Sequence, residues 1–151
     1  MPRAGHWLLR LILVLGAGLA APCASQQPAA CVKSDFETVV DEAAGALRGL
    51  NQQNTPAFQG KLRALKEKRG WSQEQFMAEA APFVRDEAIA GFDQKSEQLL
   101  TRITSGGQDA GAGPPDCARL ADLRAQMRAL VETQKAKWGY MFDKIEKELR
   151  K

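Results

Sequence analysis

The chain has 151 residues, 26% of them charged, with 3 Cys, 1 His and a formal net charge of +3. That length fits one domain, the charged fraction is that of a folded globular chain, and a charge this small does not make nucleic acid the default partner.

The first segment reads as an address. Met1 to Arg10 carries Arg3 and Arg10 and no acid, and Leu11 to Ala20 is a short apolar run followed by Ala21, Cys23, Ala24 and Ser25. A basic head, an apolar middle and a small-residue exit make 1–25 a secretory signal peptide. Arg10 and Pro22 bracket too few apolar positions for a span, which needs roughly 20, so the processed chain is not expected to cross a membrane. Cleavage after Ser25 makes Gln26 the new N-terminus, and cleavage after Ala20 is an alternative. Ala20-Ala21-Pro22 before Cys23 loosely resembles a lipobox, so a lipid anchor on Cys23 is a third option. The expected location is the periplasm or the exterior.

Loss of 1–25 removes Arg3, Arg10 and His6, the single histidine. Without an imidazole there is no Ser-His-Asp triad, Cys-His pair or His-ligated metal or haem. Cys31 and Cys117 are too few for a Cys-only metal site, and Ser105 to Gly113 is glycine-rich but lacks the Lys and Ser/Thr of a phosphate loop. The acids stand at spacings normal for solvated helix faces. The expectation is a protein with no catalytic chemistry and no cofactor or metal. In an exported chain, the remaining pair Cys31 and Cys117 reads as a disulfide.

After a polar lead over 26–33, the expected domain is 34–151. Ser34 and Glu37 form a capping box ahead of Phe36, Val39, Val40, Ala43, Leu47 and Leu50 at helical spacing. Asn51 to Pro56 interrupts, with Thr55 a natural N-cap and Pro56 a natural first helical residue. Phe58, Leu62 and Leu65 then share a face up to Gly70, placed to end the helix.

Trp71-Ser72-Gln73-Glu74-Gln75 is the clearest local signal: Ser72 and Gln75 make a capping box, with Trp71 and Phe76 as its hydrophobic staple. These five residues also resemble the Leu-Thr-x-x-Gln motif of Spy-like periplasmic stress proteins, with Trp for Leu and Ser for Thr. The capping box accounts for the same residues, and no family is assigned from them. The following stripe is Ala80, Val84, Ala88, Phe92, Leu99 and Ile103, and Pro82 inside it is expected to kink or split the helix. Ser105 to Pro115 is a loop by composition. Asp116 caps a last helix whose stripe, Cys117, Leu120, Leu123, Met127, Leu130, Gln134, Trp138, Met141, Ile145 and Leu149, puts Cys117 on the buried face.

No segment alternates with period two. The expected fold is all-α: an antiparallel bundle of three long arms, 34–69, 72–104 and 117–151, the first two broken or kinked. A Cys31–Cys117 bridge requires arms one and three to start at the same end. Five shorter helices satisfy it too.

That topology gathers Trp71, Phe76, Trp138, Tyr140 and Phe142 away from the bridge, near Lys61 to Arg69 and the basic C-terminal tail. Trp71, Trp138, Tyr140, Lys66 and Arg69 form a candidate binding end for an envelope protein or an anionic surface. The alternative is ordinary core beneath a solvated charged face. Tyr140 lies off the stripe and is expected to be exposed, so that its replacement leaves stability nearly unchanged.

The leading functional expectation is an exported interaction module, an adaptor or chaperone-like binder. A carrier of a small apolar ligand in a gap opened by Pro82, Gly91 and Gly139 is the alternative, and toxin immunity is a variant of the first.

Overall fold

The computed structural model describes residues 30–110 and 114–151; the expected signal segment 1–25 with Cys23, residues 26–29 of the expected polar lead, and 111–113 of the expected loop lie outside the described residues. Among the described residues there are four helices and no strand: α1 (Lys33–Arg69), α2 (Gln73–Val84), α3 (Glu87–Ala110) and α4 (Cys117–Arg150). No helix among them is long and apolar enough to cross a membrane.

Helix α1 starts one residue earlier than the sequence suggests, and its cap is different. Val32 is the N-cap, and the Asp35 carboxylate accepts from the Val32 N–H at 2.8 Å; the Ser34–Glu37 box is not used. The Ser34 carbonyl instead accepts from the Thr38 hydroxyl at 2.8 Å.

The break expected at Asn51–Pro56 does not occur: α1 is one helix of 37 residues with Pro56 inside it. At 1.5 Å per residue it is about 55 Å long. An internal proline costs about 3 kcal/mol. Leu47, Leu50, Phe58, Leu62 and Leu65 nevertheless keep helical phase across it, and Phe58 and Leu65 are buried. Burying each is worth about 1.5–3 kcal/mol, so continuity of the stripe wins. Pro56 itself is exposed.

Gly70 ends α1 at φ 66°, ψ 27°, with its N–H on the Glu67 carbonyl and the Trp71 N–H on the Lys66 carbonyl. This is the left-handed cap that only glycine enters without penalty. The Ser72–Gln75 box is formed in both directions, at 3.2 and 2.8 Å.

The second arm is split, at Arg85–Asp86, just beyond Pro82. Asp86 Oδ1 caps α3 by accepting from the Ile89 N–H at 2.8 Å. The split displaces the expected stripe only around itself: Phe83 and Ile89 are buried and Val84 and Ala88 exposed, whereas Leu99 is buried and Ala80, Phe92 and Ile103 are half-buried, in line with the expectation. Helix α3 then continues through Ser105 to Ala110, where a loop was expected. The Thr104 and Ser105 hydroxyls donate to the Leu100 and Thr101 carbonyls one turn back, which satisfies them within the helix. Asp116 caps α4 by accepting from the Ala118 N–H.

Helix α4 is central, packing against α1, α3 and α2. Asn51, Lys61 and Arg69 of α1 meet Trp138, Glu146 and Glu148 in the same order along α4, so these helices run parallel. Ser96, Asp93 and Asp86 meet Gln134, Lys137 and Lys144, so α3 runs antiparallel to α4. The Cys31–Cys117 disulfide joins the starts of α1 and α4, with Cα atoms 5.4 Å apart. Cys117 is exposed rather than on the buried face, and Cys31 is half-buried. Being flanked on two sides, α4 buries more than one stripe, including Val131 and Thr133. The main core, Phe58, Leu65, Phe83, Ile89, Met141 and Ile145, lies away from the bridge.

Candidate functional site

Four of the five aromatic residues named from sequence gather on the main core; Phe76 is half-buried beside Lys66. Trp71, Trp138, Tyr140 and Phe142 are half-buried and pack on the main core. Trp138 stands edge-on to Phe58 with centroids 6.0 Å apart, and Phe142 meets the same ring at 5.5 Å. The Trp138 indole N–H donates to Asn51 Oδ1 at 3.2 Å. These are packing contacts between α1 and α4, in the edge-to-face geometry that aromatic quadrupoles favour.

Tyr140 is not the exposed residue expected from its phase. It faces α3, where its ring lies 6.2 Å from Phe92 and its hydroxyl donates to Asp86 Oδ2 at 2.7 Å. A stripe drawn for one neighbour misses it because α4 has a second.

The cations of this end are largely used within the chain. Lys66 Nζ donates to Gln73 Oε1 at 2.8 Å and sits 5.5 Å from the Phe76 ring centroid. Arg69 pairs with Glu148 at 2.9 Å, Lys61 with Glu146 at 2.8 Å, and Lys68 donates to the Leu149 carbonyl at 2.6 Å. Together they fasten the end of α1 to the end of α4. Surface pairs of this kind contribute only about 0–1 kcal/mol each. They do, however, turn the cations toward the protein's own acids and carbonyls.

Among the described residues Asp86 is the most connected carboxylate. One oxygen caps α3; the other accepts from Tyr140 and pairs with Lys144, and Lys144 Nζ also donates to the Pro82 carbonyl at 2.5 Å. The Lys144 ammonium, the Ile89 N–H and the Tyr140 hydroxyl together lower the Asp86 pKa to about 2. The same hydrogen bond raises the pKa of Tyr140, since the phenol must stay protonated to donate. The Lys61 and Lys151 ammoniums lower the pKa values of Glu146 and Glu148, respectively. These groups tie helices together. Among the described residues, no group of three or more His, Cys, Asp or Glu side chains could hold a metal ion.

Sequence reasoning missed the outer face of α2. Met77 is 69% exposed and Val84 38%, with half-buried Ala81 between them at helical spacing. The 77, 81, 84 spacing was the available signal; it was obscured by reading one continuous stripe through Pro82. By contrast, the gap-forming residues of the carrier reading face outward. Pro82, Gly91 and Gly139 are exposed, and a Cβ added to either glycine would meet no heavy atom within 4 Å.

No protein-family model, curated protein or solved structure matches this chain.

Proposed function

We propose that the chain is exported, and that it works as a disulfide-bridged, three-arm antiparallel helical bundle binding another protein of the cell envelope, as an adaptor or chaperone-like module without catalytic chemistry. The observation that carries this reading is the apolar row Met77–Ala81–Val84 on the outside of α2, beside an end whose cations are largely paired within the chain. Single exposed apolar side chains are ordinary, but apolar side chains that adjoin one another in water are a feature of contact surfaces. The signal-like segment 1–25 and the Cys31–Cys117 bridge support an oxidising compartment. In this reading Trp71, Trp138, Tyr140, Lys66 and Arg69 belong to the packed end beside α2 and make few direct contacts with the partner. A toxin-immunity role is one form of the same activity. The outward-facing Gly91 and Gly139 give the apolar-carrier alternative no support.

A photocrosslinking residue at Met77, in an exporting host, tests the proposal against the same residue at exposed Gln94 on α3. The expected result is a discrete protein adduct from position 77 in the envelope fraction and none from position 94. Recovery of the protein in the cytoplasm, or no adduct from position 77, contradicts it.

A further inference from the structure

Helix α2 is joined to its neighbours differently from the other three. It has 12 residues, with a complete capping box at its start and an extended residue, Arg85 (φ −145°, ψ 112°), at its end. Gly70 before it is left-handed. Both ends therefore carry abrupt changes of backbone direction, where a segment can turn as a body. Only one residue of α2, Phe83, is buried, whereas α1 and α4 bury several each. Phe83 enters the core among Leu65, Ile89, Met141 and Ile145.

The exit of α2 has a polar fastening. A helix ending at Val84 leaves the Pro82 carbonyl without its next-turn amide partner, and Lys144 Nζ from α4 supplies a donor at 2.5 Å. The same ammonium pairs with Asp86, whose other oxygen caps α3. Lys144 thus bridges the last turn of α2 and the first turn of α3. Withdrawing α2 breaks the bond to Pro82 and removes Phe83 from the core, while the Asp86 cap and its pairing with Lys144 can stay.

We propose that α2 is a strap that opens and closes as a unit over the Phe83 socket, with Lys144 as its latch. Segments with few buried contacts and two abrupt ends open at lower free energy than the core they cover. Opening uncovers Leu65, Ile89, Met141 and Ile145. The device does not depend on α2 binding any partner.

Native-state hydrogen exchange on the full exported chain, resolved by residue in low denaturant, tests it. The amides of 77–81, 83 and 84, with that of Arg85, should exchange as one group, at lower free energy than those of 60–69 in α1 and 138–149 in α4. Lys144→Met should speed the α2 group about tenfold, the scale of one charge-assisted hydrogen bond. Tyr140→Phe, which removes a bond to Asp86 but leaves the Pro82 carbonyl bonded, should change the α2 group much less. Exchange of α2 together with α1 and α4 in the unsubstituted protein would overturn the strap. Equal acceleration of α2 by the two variants would overturn the latch.

Discussion

Asn51 and Trp138 are bonded across a sequence separation of 87, one more than the 86 of the Cys31–Cys117 bridge. Two parallel helices keep a constant offset only if both advance 1.5 Å per residue without interruption. The bridge thus fixes a register that α1 holds to the Asn51–Trp138 bond, and beyond Pro56 Lys61 still meets Glu146 at nearly the same offset. The disulfide and the aromatic contacts about six turns along each helix specify one alignment.

Removing the bridge should therefore cost stability more than structure. Cross-linking a loop of this length is worth about 4–5 kcal/mol in the chain-entropy model. Cys31→Ser with Cys117→Ser should lower the unfolding free energy by about that amount, measured by urea titration, with helical circular dichroism in water largely retained. A loss under about 1 kcal/mol would mean that the bridge contributes little beyond the packing.

Glycine at 139 sits in open space on α4 with ordinary helical backbone. Gly139→Ala should stabilise the fold by about 0.5–1 kcal/mol. Gly70 has φ 66°, so Gly70→Ala should destabilise by about 1 kcal/mol although its Cβ also meets nothing. Opposite shifts in thermal midpoint check the pair.

Acid should loosen the α2–α3 joint. The Asp86 pKa is lowered to about 2, chiefly by Lys144. A carboxyl whose folded pKa lies below its unfolded one contributes stability that is fully present above the unfolded value of about 4 and is lost as pH falls through the folded value. Glu146 and Glu148, lowered by Lys61 and Lys151, act in the same direction. Stability should fall from pH 4 to pH 2, with a shallower fall in Asp86→Asn. Identical pH profiles for the two proteins would show that Asp86 does not contribute.

Core and surface should separate cleanly. Ile145 has no exposure, and Ile145→Ala should cost about 2–5 kcal/mol. Leu100 is half exposed, and Leu100→Ala should cost less than about 1 kcal/mol. Tyr140→Phe should lower stability, against the expectation drawn from its phase alone, because it removes the hydroxyl bonded to Asp86.

The helical class, the Cys31–Cys117 pairing and the common start of arms one and three were legible because each follows from local pattern or from chain geometry. The Ser72–Gln75 box was legible because it uses neighbours in sequence. What escaped depended on a second neighbour. Pro56 looked like a helix start until α4 offered continuous burial to Phe58 and Leu65. Tyr140 looked exposed because α4's second flank, against α3, is set by pairs such as Asp93–Lys137 that no local period reveals. The exposed α2 row went unnoticed because the split at Arg85–Asp86 changed the phase.

The most direct test of an exported, bridged module is the intact mass of the protein recovered from an exporting host, before and after reduction. The expected result is a chain beginning at Gln26 that gains two hydrogens on reduction. A chain that retains 1–25, begins at a lipid-modified Cys23, or gains no mass on reduction would contradict it.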